Sequence, residues 1–577
     1  MTAILERDPV PACSPDGAAQ EALPSEGGAL GAPGTLARIW DRFDAPPGQR
    51  RIPGTATIAM IATVVGLAAS WASTRHGTNL DYSDAQSHLT IARRIIESKS
   101  PGLQQLGTVW LPAPHLLLLP LVQSTWLWRT GWAACLLGTI CLAASAAALY
   151  RIAARIGLGR IGRLVAVLSL VANPSLLYVF TTALTEPVLI AGMLGAVAGL
   201  ARWATARRTP SGGELAVFAG IPAAIAVLSR YEGWALILAG ALFVALVSVH
   251  KRSGAVRAAR AAACFAAPPA CAIAWWLAYN WSSYHDPLEF MFGPYSANAQ
   301  QKDLFRSGLL PTKWDFGLSL STYDWAIVEC AGAVLLITAF GGLAALVWRH
   351  GFVSVRSLVV GLLAVSYAFS LLSLYLGQTA IDNDHSLPPN WWNNRFELST
   401  MPLFALLAGV LLHEAAHRRI VGRLAIIAFI VALAGQFAWF TADLYGRSAI
   451  LAEAAMSRHE TSASRAAGHW LAAHYHGGGI LLDESARGNA ILPIIGIDLS
   501  QYDIRASGST FEAALVDPAA HDQWILANVA TAGAPHDSGP ADLVAAALAA
   551  DPQQAAKYRM VFRTADHAVY ERISNSP

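Results

Sequence analysis

Between Asn79 and Leu121 the chain reads NLDYSDAQSHLTIARRIIESKSPGLQQLGTVWLPAPHLLLLPL, and its acids and histidines have the types and spacing for proton transfer. Asp81, Asp84 and His88 stand three and four residues apart, which puts them on one face of a helical run that continues over 85–96. A carboxylate in such a place can take a proton from an attacking hydroxyl, and a nearby imidazole can position its partner. The other face, Ala85, Leu89, Ala92 and Ile96, is apolar, with Arg93, Arg94 and Lys99 at the wet end, as in a helix lying in a membrane interface. Pro101-Gly102 ends that helix, and Trp110-Leu-Pro-Ala-Pro-His115 turns the backbone into a structured loop that a plain spanning helix would not adopt.

More chemistry-bearing residues follow at the edges of apolar runs, where ionisable groups are costly and therefore candidates for function. They are Glu186 before Pro187, Arg230 and Glu232 around Tyr231, Lys302 and Arg306, the group Asp382, Asp384 and His385, and Arg395 after Trp391 and Trp392. Glu186 reads equally as a helix-dipole carboxylate, and Arg230 with Glu232 as an internal ion pair. Trp391 and Trp392 suit a sugar platform or an interfacial belt. Arg395, with no acid in the apolar run behind it, suits a phosphate by its bidentate fork. His413-Glu-Ala-Ala-His417 fits the zinc-protease pattern, but it ends an apolar run beside Arg418 and Arg419, away from the other polar residues and without a third ligand.

The elements that must carry these residues are set by composition. With 577 residues, 54% hydrophobic and 14% charged, the chain is expected to be a multi-pass α-helical membrane protein. Its net charge of +2, with arginines scattered over short loops, gives no support to a nucleic-acid partner. Residues 1–37 lack a hydrophobic period and read as a disordered cytosolic tail. Residues 38–441 hold about eleven apolar spans, the first near 55–71 and the last near 423–441, with the catalytic first outer loop at 73–128. Loops on one side carry roughly twice the arginine and lysine of the other, which predicts a cytosolic N-terminus and an extracytoplasmic C-terminal region. After residue 441 the runs 480–483, 524–528, 558–562 and 568–571 read as strands among helical stretches at 448–475 and 541–556, a small α/β domain over 442–577. None of the six cysteines lies there, so this domain has no disulfide framework.

The acidic first outer loop with its proline re-entry (Asp81, Asp84, Pro112, Pro114), the Thr-Glu186-Pro187 span opening and the Arg395-Phe-Glu-Leu-x-x-x-Pro402 span opening resemble the GT-C superfamily of membrane glycosyltransferases. The likeness is to the polyprenyl-phosphate-sugar-dependent group that includes protein O-mannosyltransferases and the aminoarabinose transferase of lipid A. Here the acidic motif is Asp-x-x-Asp rather than an adjacent or Asp-x-Asp pair. The resemblance implies a cell-envelope enzyme that moves a sugar from a polyprenyl-phosphate donor to a hydroxyl of a glycan, lipid or protein on the outer face, with inversion. Asp84 would be the base and Arg395 the phosphate neutraliser, helped by Arg230, Lys302 or Arg306, while Asp81, His88, His115, Glu186 and Glu232 position donor or acceptor. No metal ligand set or cofactor is implied, although a divalent cation is compatible with so many acids. Two other classes fit parts of the pattern: a transporter or lipid scramblase, which would need a polar path to the cytosolic side, and the zinc protease of the His413–His417 motif.

Overall fold

The computed structural model describes residues 53–206, 210–294, 296–386, 390–443, 447–486, 488–529 and 541–573. The expected tail at 1–37 and the basic residues Arg38, Arg42, Arg50, Arg51, Arg207 and Arg208 lie outside the described residues. The described residues pack as one compact unit, so the C-terminal region shares a body with the helices before it.

By length and composition seven helices can cross a membrane, Thr55–His76, Trp132–Arg155, Glu186–Thr205, Glu232–His250, Ala255–Tyr284, Ala333–His350 and Arg419–Ala442, or eight if the pair Val355–Leu363 and Val365–Tyr375, bent by 43°, is one span. The expectation of eleven counted apolar runs that are shorter or interrupted here. The run at 164–182 is broken where Asn173 caps the Pro174–Val179 helix by accepting the Leu176 N–H, and Pro174 supplies no N–H to continue the previous helix. The run at 324–347 is divided at Gly332, whose φ of 87° separates Phe316–Ala331 from Ala333–His350.

Met401–Ala415 is only 15 residues long but lies at the centre of the bundle. Glycines let its neighbours close on it: a Cβ at Gly342 would sit 1.9 Å from the Leu407 carbonyl oxygen, and one at Gly409 would sit 2.4 Å from that of Gly162. This helix carries the Asn394–Ser399 turn at its N-terminal end and so fixes the position of Arg395.

The C-terminal region contains a five-stranded sheet, β1 Ile480–Leu482, β2 Tyr502–Asp503, β3 Trp524–Asn528, β4 Tyr558–Arg563 and β5 His567–Arg572, in the order β2-β1-β3-β5-β4. β1 runs parallel to β2 and β3, and β5 runs antiparallel to β3 and β4. Four of these strands match the apolar runs of the sequence. β2 is two residues long and gives no periodic signal.

The helix expected over 85–96 spans Ser83–Arg94, and most of its apolar stripe packs against protein. Ala85, Leu89 and Ala92 are fully buried, and so are His88 and Arg93 on other faces. Arg93 pairs with Glu97 at 2.5 Å and Asp498 at 3.4 Å, Arg94 with Glu484 at 3.8 Å, and Lys99 with Asp503. The basic end meets the C-terminal domain rather than lipid headgroups.

Candidate functional site

Six charged side chains from five separate stretches meet around Arg395. Its Nη2 reaches Asp84 Oδ2 at 2.5 Å, its Nη1 reaches Glu453 Oε1 at 3.1 Å, and its Nε lies 3.4 Å from Glu186 Oε1. Arg230 adds a second cation, 2.9 Å from the same Glu186 oxygen and 3.0 Å from Glu232 Oε1. Phe396 lies under both guanidiniums, 4.1 Å from Arg230 and 5.4 Å from Arg395. The Arg395 guanidinium thus has three acidic partners where the sequence pattern suggested none. Burial alone would lower its pKa, but Asp84, Glu186 and Glu453 outweigh that and raise it.

Local structure sets each of these positions. Glu186 opens the Glu186–Thr205 helix, and Arg230 occupies the break between the Ile221–Val227 and Glu232–His250 helices. Asn393 adopts a φ of 59° and turns the backbone so that its N–H and that of Asn394 both donate to the Glu453 carboxylate, at 3.0 and 3.2 Å. Glu453 therefore holds the turn and the guanidinium together. Burial raises its carboxyl, opposed by Arg395 and the two amides. Sequence reasoning missed Glu453, because a glutamate in the alanine-rich helix Ala449–Glu460 looks the same as a solvent-facing one until the burial is known.

Asp84 differs from the other acids. Its side chain is 40% exposed, whereas those of Glu186, Glu232 and Glu453 are each 6% exposed or less. It is the carboxylate of the centre that an incoming hydroxyl can reach.

His88 and His115 form a pair beside this centre, Nδ1 to Nε2 at 2.8 Å, with the Trp110 ring 4.6 Å from His88. Burial, with Arg395 and Arg230 adding to it, pushes His88 down to about 3, so this imidazole is neutral at pH 7. Asp81 faces elsewhere. Its carboxylate meets Arg458 at 3.1 Å, and Tyr82, not Asp81, stands at the helix N-cap without a side-chain cap. Burial pushes the Asp81 carboxyl up to about 6 against the pull of Arg458 and Arg465. Lys302 is exposed, and Arg306 pairs with Asp303 where both side chains are 77% exposed, so neither joins the centre.

The His413–His417 motif is committed to other contacts. His413 Nδ1 accepts the Gly159 N–H at 3.1 Å, and Glu414 pairs with Arg349 at 2.8 Å. Among the described residues the group with metal-ligand geometry is a different one: Glu329, Asp384 and His385 bring one ligand atom each within 4.8 Å of one another and could hold a divalent cation.

No known protein family matches the chain, and no curated protein matches it by sequence. Solved structures do. The apo crystal structure of the Archaeoglobus fulgidus oligosaccharyltransferase aligns with a TM-score of 0.50 at 12% identity, over 83% of this chain and 70% of that one. The archaeal oligosaccharyltransferase AglB from Archaeoglobus fulgidus, in complex with an inhibitory peptide and a dolichol-phosphate, aligns with a TM-score of 0.42 at 11% identity, over 82% and 69% of the two chains. At such identity the first likeness shows a shared fold alone: a multi-pass helical protein with seven or eight helices able to cross a membrane and a C-terminal region containing a β-sheet.

Proposed function

We propose that the chain is a GT-C-type membrane glycosyltransferase that moves a sugar from a polyprenyl-phosphate donor to an acceptor hydroxyl at the extracytoplasmic face. The observation that carries this reading is Asp84, a solvent-facing carboxylate fixed by a buried arginine that two buried acids hold in turn. The shared fold with a solved membrane oligosaccharyltransferase supports it.

In the reaction the acceptor oxygen attacks the anomeric carbon, the bond from that carbon to the phosphate oxygen breaks, and polyprenyl phosphate leaves with the bonding pair. The acceptor proton goes to Asp84. Arg395 and Arg230, stacked about Phe396, face the charge that grows on the leaving phosphate. The remaining carboxylates are buried and engaged by arginine, which leaves one accessible carboxylate and favours single displacement with inversion. The neutral His88–His115 pair lines the centre without adding a charge that would compete for the phosphate.

The test is turnover of a polyprenyl-phosphate sugar by the purified full chain, with mass spectrometry of the lipid that co-purifies. Asp84→Asn is expected to lower transfer about 10²–10⁴-fold while the donor lipid still binds. More than about a tenth of wild-type turnover, above the range for loss of a positioned base, would remove Asp84 from this role. A donor moved across the bilayer without cleavage would mark a transporter instead.

A further inference from the structure

We propose that Glu329, Asp384 and His385 form a divalent-metal clip, for a first-row ion such as Zn²⁺ or Mn²⁺, that fastens the segment leading into Arg395 onto the Phe316–Ala331 helix. The helix presents three points to that segment, at 322, 325 and 329, spacings that fall on one helical face. The Thr322 carbonyl accepts a hydrogen bond from Asn383 Nδ2 at 2.9 Å, and the Trp325 ring stacks on the His385 ring with centroids 3.9 Å apart. Glu329 is the third point. Both of its oxygens are shut off from solvent, and neither has a hydrogen-bond partner.

What faces Glu329 is Asp384 and His385. His385 Nε2 lies 3.8 Å from Glu329 Oε1 and 3.2 Å from Asp384 Oδ1. Two carboxylates brought together with no arginine or lysine between them are relieved either by a shared proton or by a bound cation. One imidazole nitrogen and two carboxylate oxygens are a ligand set for a borderline ion such as Zn²⁺ or Mn²⁺ rather than for Ca²⁺, which prefers oxygen alone. The site is also pre-shaped. Asn383 is fully buried and its Oδ1 accepts the His385 N–H at 3.1 Å, which fixes the turn, while Trp325 sets the plane of the imidazole. Asp384 and His385 are exposed on the other side, which gives an ion an entry path and room for water ligands.

The clip is separate from the acid centre but mechanically joined to it. Asp382 and Trp392 exchange backbone hydrogen bonds at 3.0 and 2.9 Å, and Asn394 Nδ2 donates to the Asp382 carbonyl at 2.6 Å. Residue 382 therefore connects the ligands at 384 and 385 to the turn that presents Arg395.

The experiment uses the full chain in detergent, stripped with chelator and dialysed. Zn²⁺ and Mn²⁺ are added separately, with binding followed by isothermal titration and, for Mn²⁺, by loss of the free-ion EPR signal. One equivalent is expected to bind, and His385→Ala and Glu329→Gln are each expected to weaken binding at least tenfold. Amide exchange in peptides covering 378–394 is expected to slow on metal addition in wild type and not in the variants. Both readouts are independent of sugar transfer, so they hold or fail whatever the catalytic reading does. Equal affinity in wild type and both variants overturns the proposal. Saturable binding without any change in exchange over 378–394 removes the clip and leaves an adventitious surface ion. If Glu329→Gln alone slows exchange in the absence of metal, a shared proton rather than an ion joins the two carboxylates, and the proposal fails.

Discussion

At Arg395 the guanidinium is held in place before any substrate arrives. The sequence suits this residue to a phosphate-binding cation, whose replacement weakens donor binding itself. Its three acidic partners change that expectation, since Arg395→Ala leaves the buried Glu453 without its arginine, while Glu186 keeps Arg230. Breaking a buried ion pair from one side typically costs about 3–5 kcal/mol, so the melting temperature of the detergent-solubilised chain should fall along with activity. Glu453→Gln keeps the shape and one acceptor for the Asn393 and Asn394 amides, and should cost less, about 1–3 kcal/mol, while turnover drops because Arg395 is no longer fixed. Equal melting temperatures for wild type and Arg395→Ala would show that the cluster contributes nothing to the fold. Asp84 was legible from its spacing to His88 in a polar stretch between apolar runs. Glu453 was not, because its partner lies in a different element, and only the fold shows that they meet.

Among the elements, long apolar helices and four of five strands could be read from pattern, since hydrophobic period and length determine them. The broken ones could not. A run interrupted at Asn173-Pro174 or Gly332 has the composition of a span, and its break depends on one cap and one positive φ. Docking between elements is equally invisible in the sequence, and one dock makes a pH prediction. Asp522, two residues before β3, is fully buried with neither oxygen hydrogen-bonded. Burial first, then the charge of Asp503, push its carboxyl up to about 8 against the pull of Lys99. An unfolded aspartate titrates near ~3.9, so the stability contributed by the neutral group is full below that pH and is lost as pH rises through the folded value. The wild-type melting temperature is therefore expected to carry a downward slope from about pH 4 to about pH 8 from this group, levelling above it, and Asp522→Asn, neutral throughout, should remove that slope. The same slope in both proteins would place the titration on another group.

For the molecule as a whole, sidedness is what the charge bias predicts and what fusion reporters measure. A reporter after Thr441 should be active only outside the cytosol, and one between Arg202 and Arg208 only inside; a cytosolic signal after Thr441 would place the acid centre on the wrong face for a polyprenyl-linked donor. The opposite end of the Met401–Ala415 helix gives a companion expectation. Joint replacement of His413 and His417 by alanine should leave sugar transfer intact, and loss of transfer together with stoichiometric zinc would reverse the assignment of that motif. The packing of the C-terminal region on the first outer segment also bears on how the protein is made. The Tyr82 hydroxyl donates to the Ile450 carbonyl at 3.0 Å across 368 residues of sequence, and Arg458 and Arg465 take up Asp81 and the Leu80 carbonyl in the same place. A ribosome adding about 5–20 residues per second needs on the order of 20–70 s to pass from one side of that contact to the other. Only in the last part of that interval, once residue 395 is made, does the nascent chain hold Asp84, Glu186 and Arg395 together, and it still lacks Glu453, the carboxylate that fixes the arginine's turn. The proposed site is thus incomplete until residue 453 is made, and products terminated before it are expected to insert and remain inert.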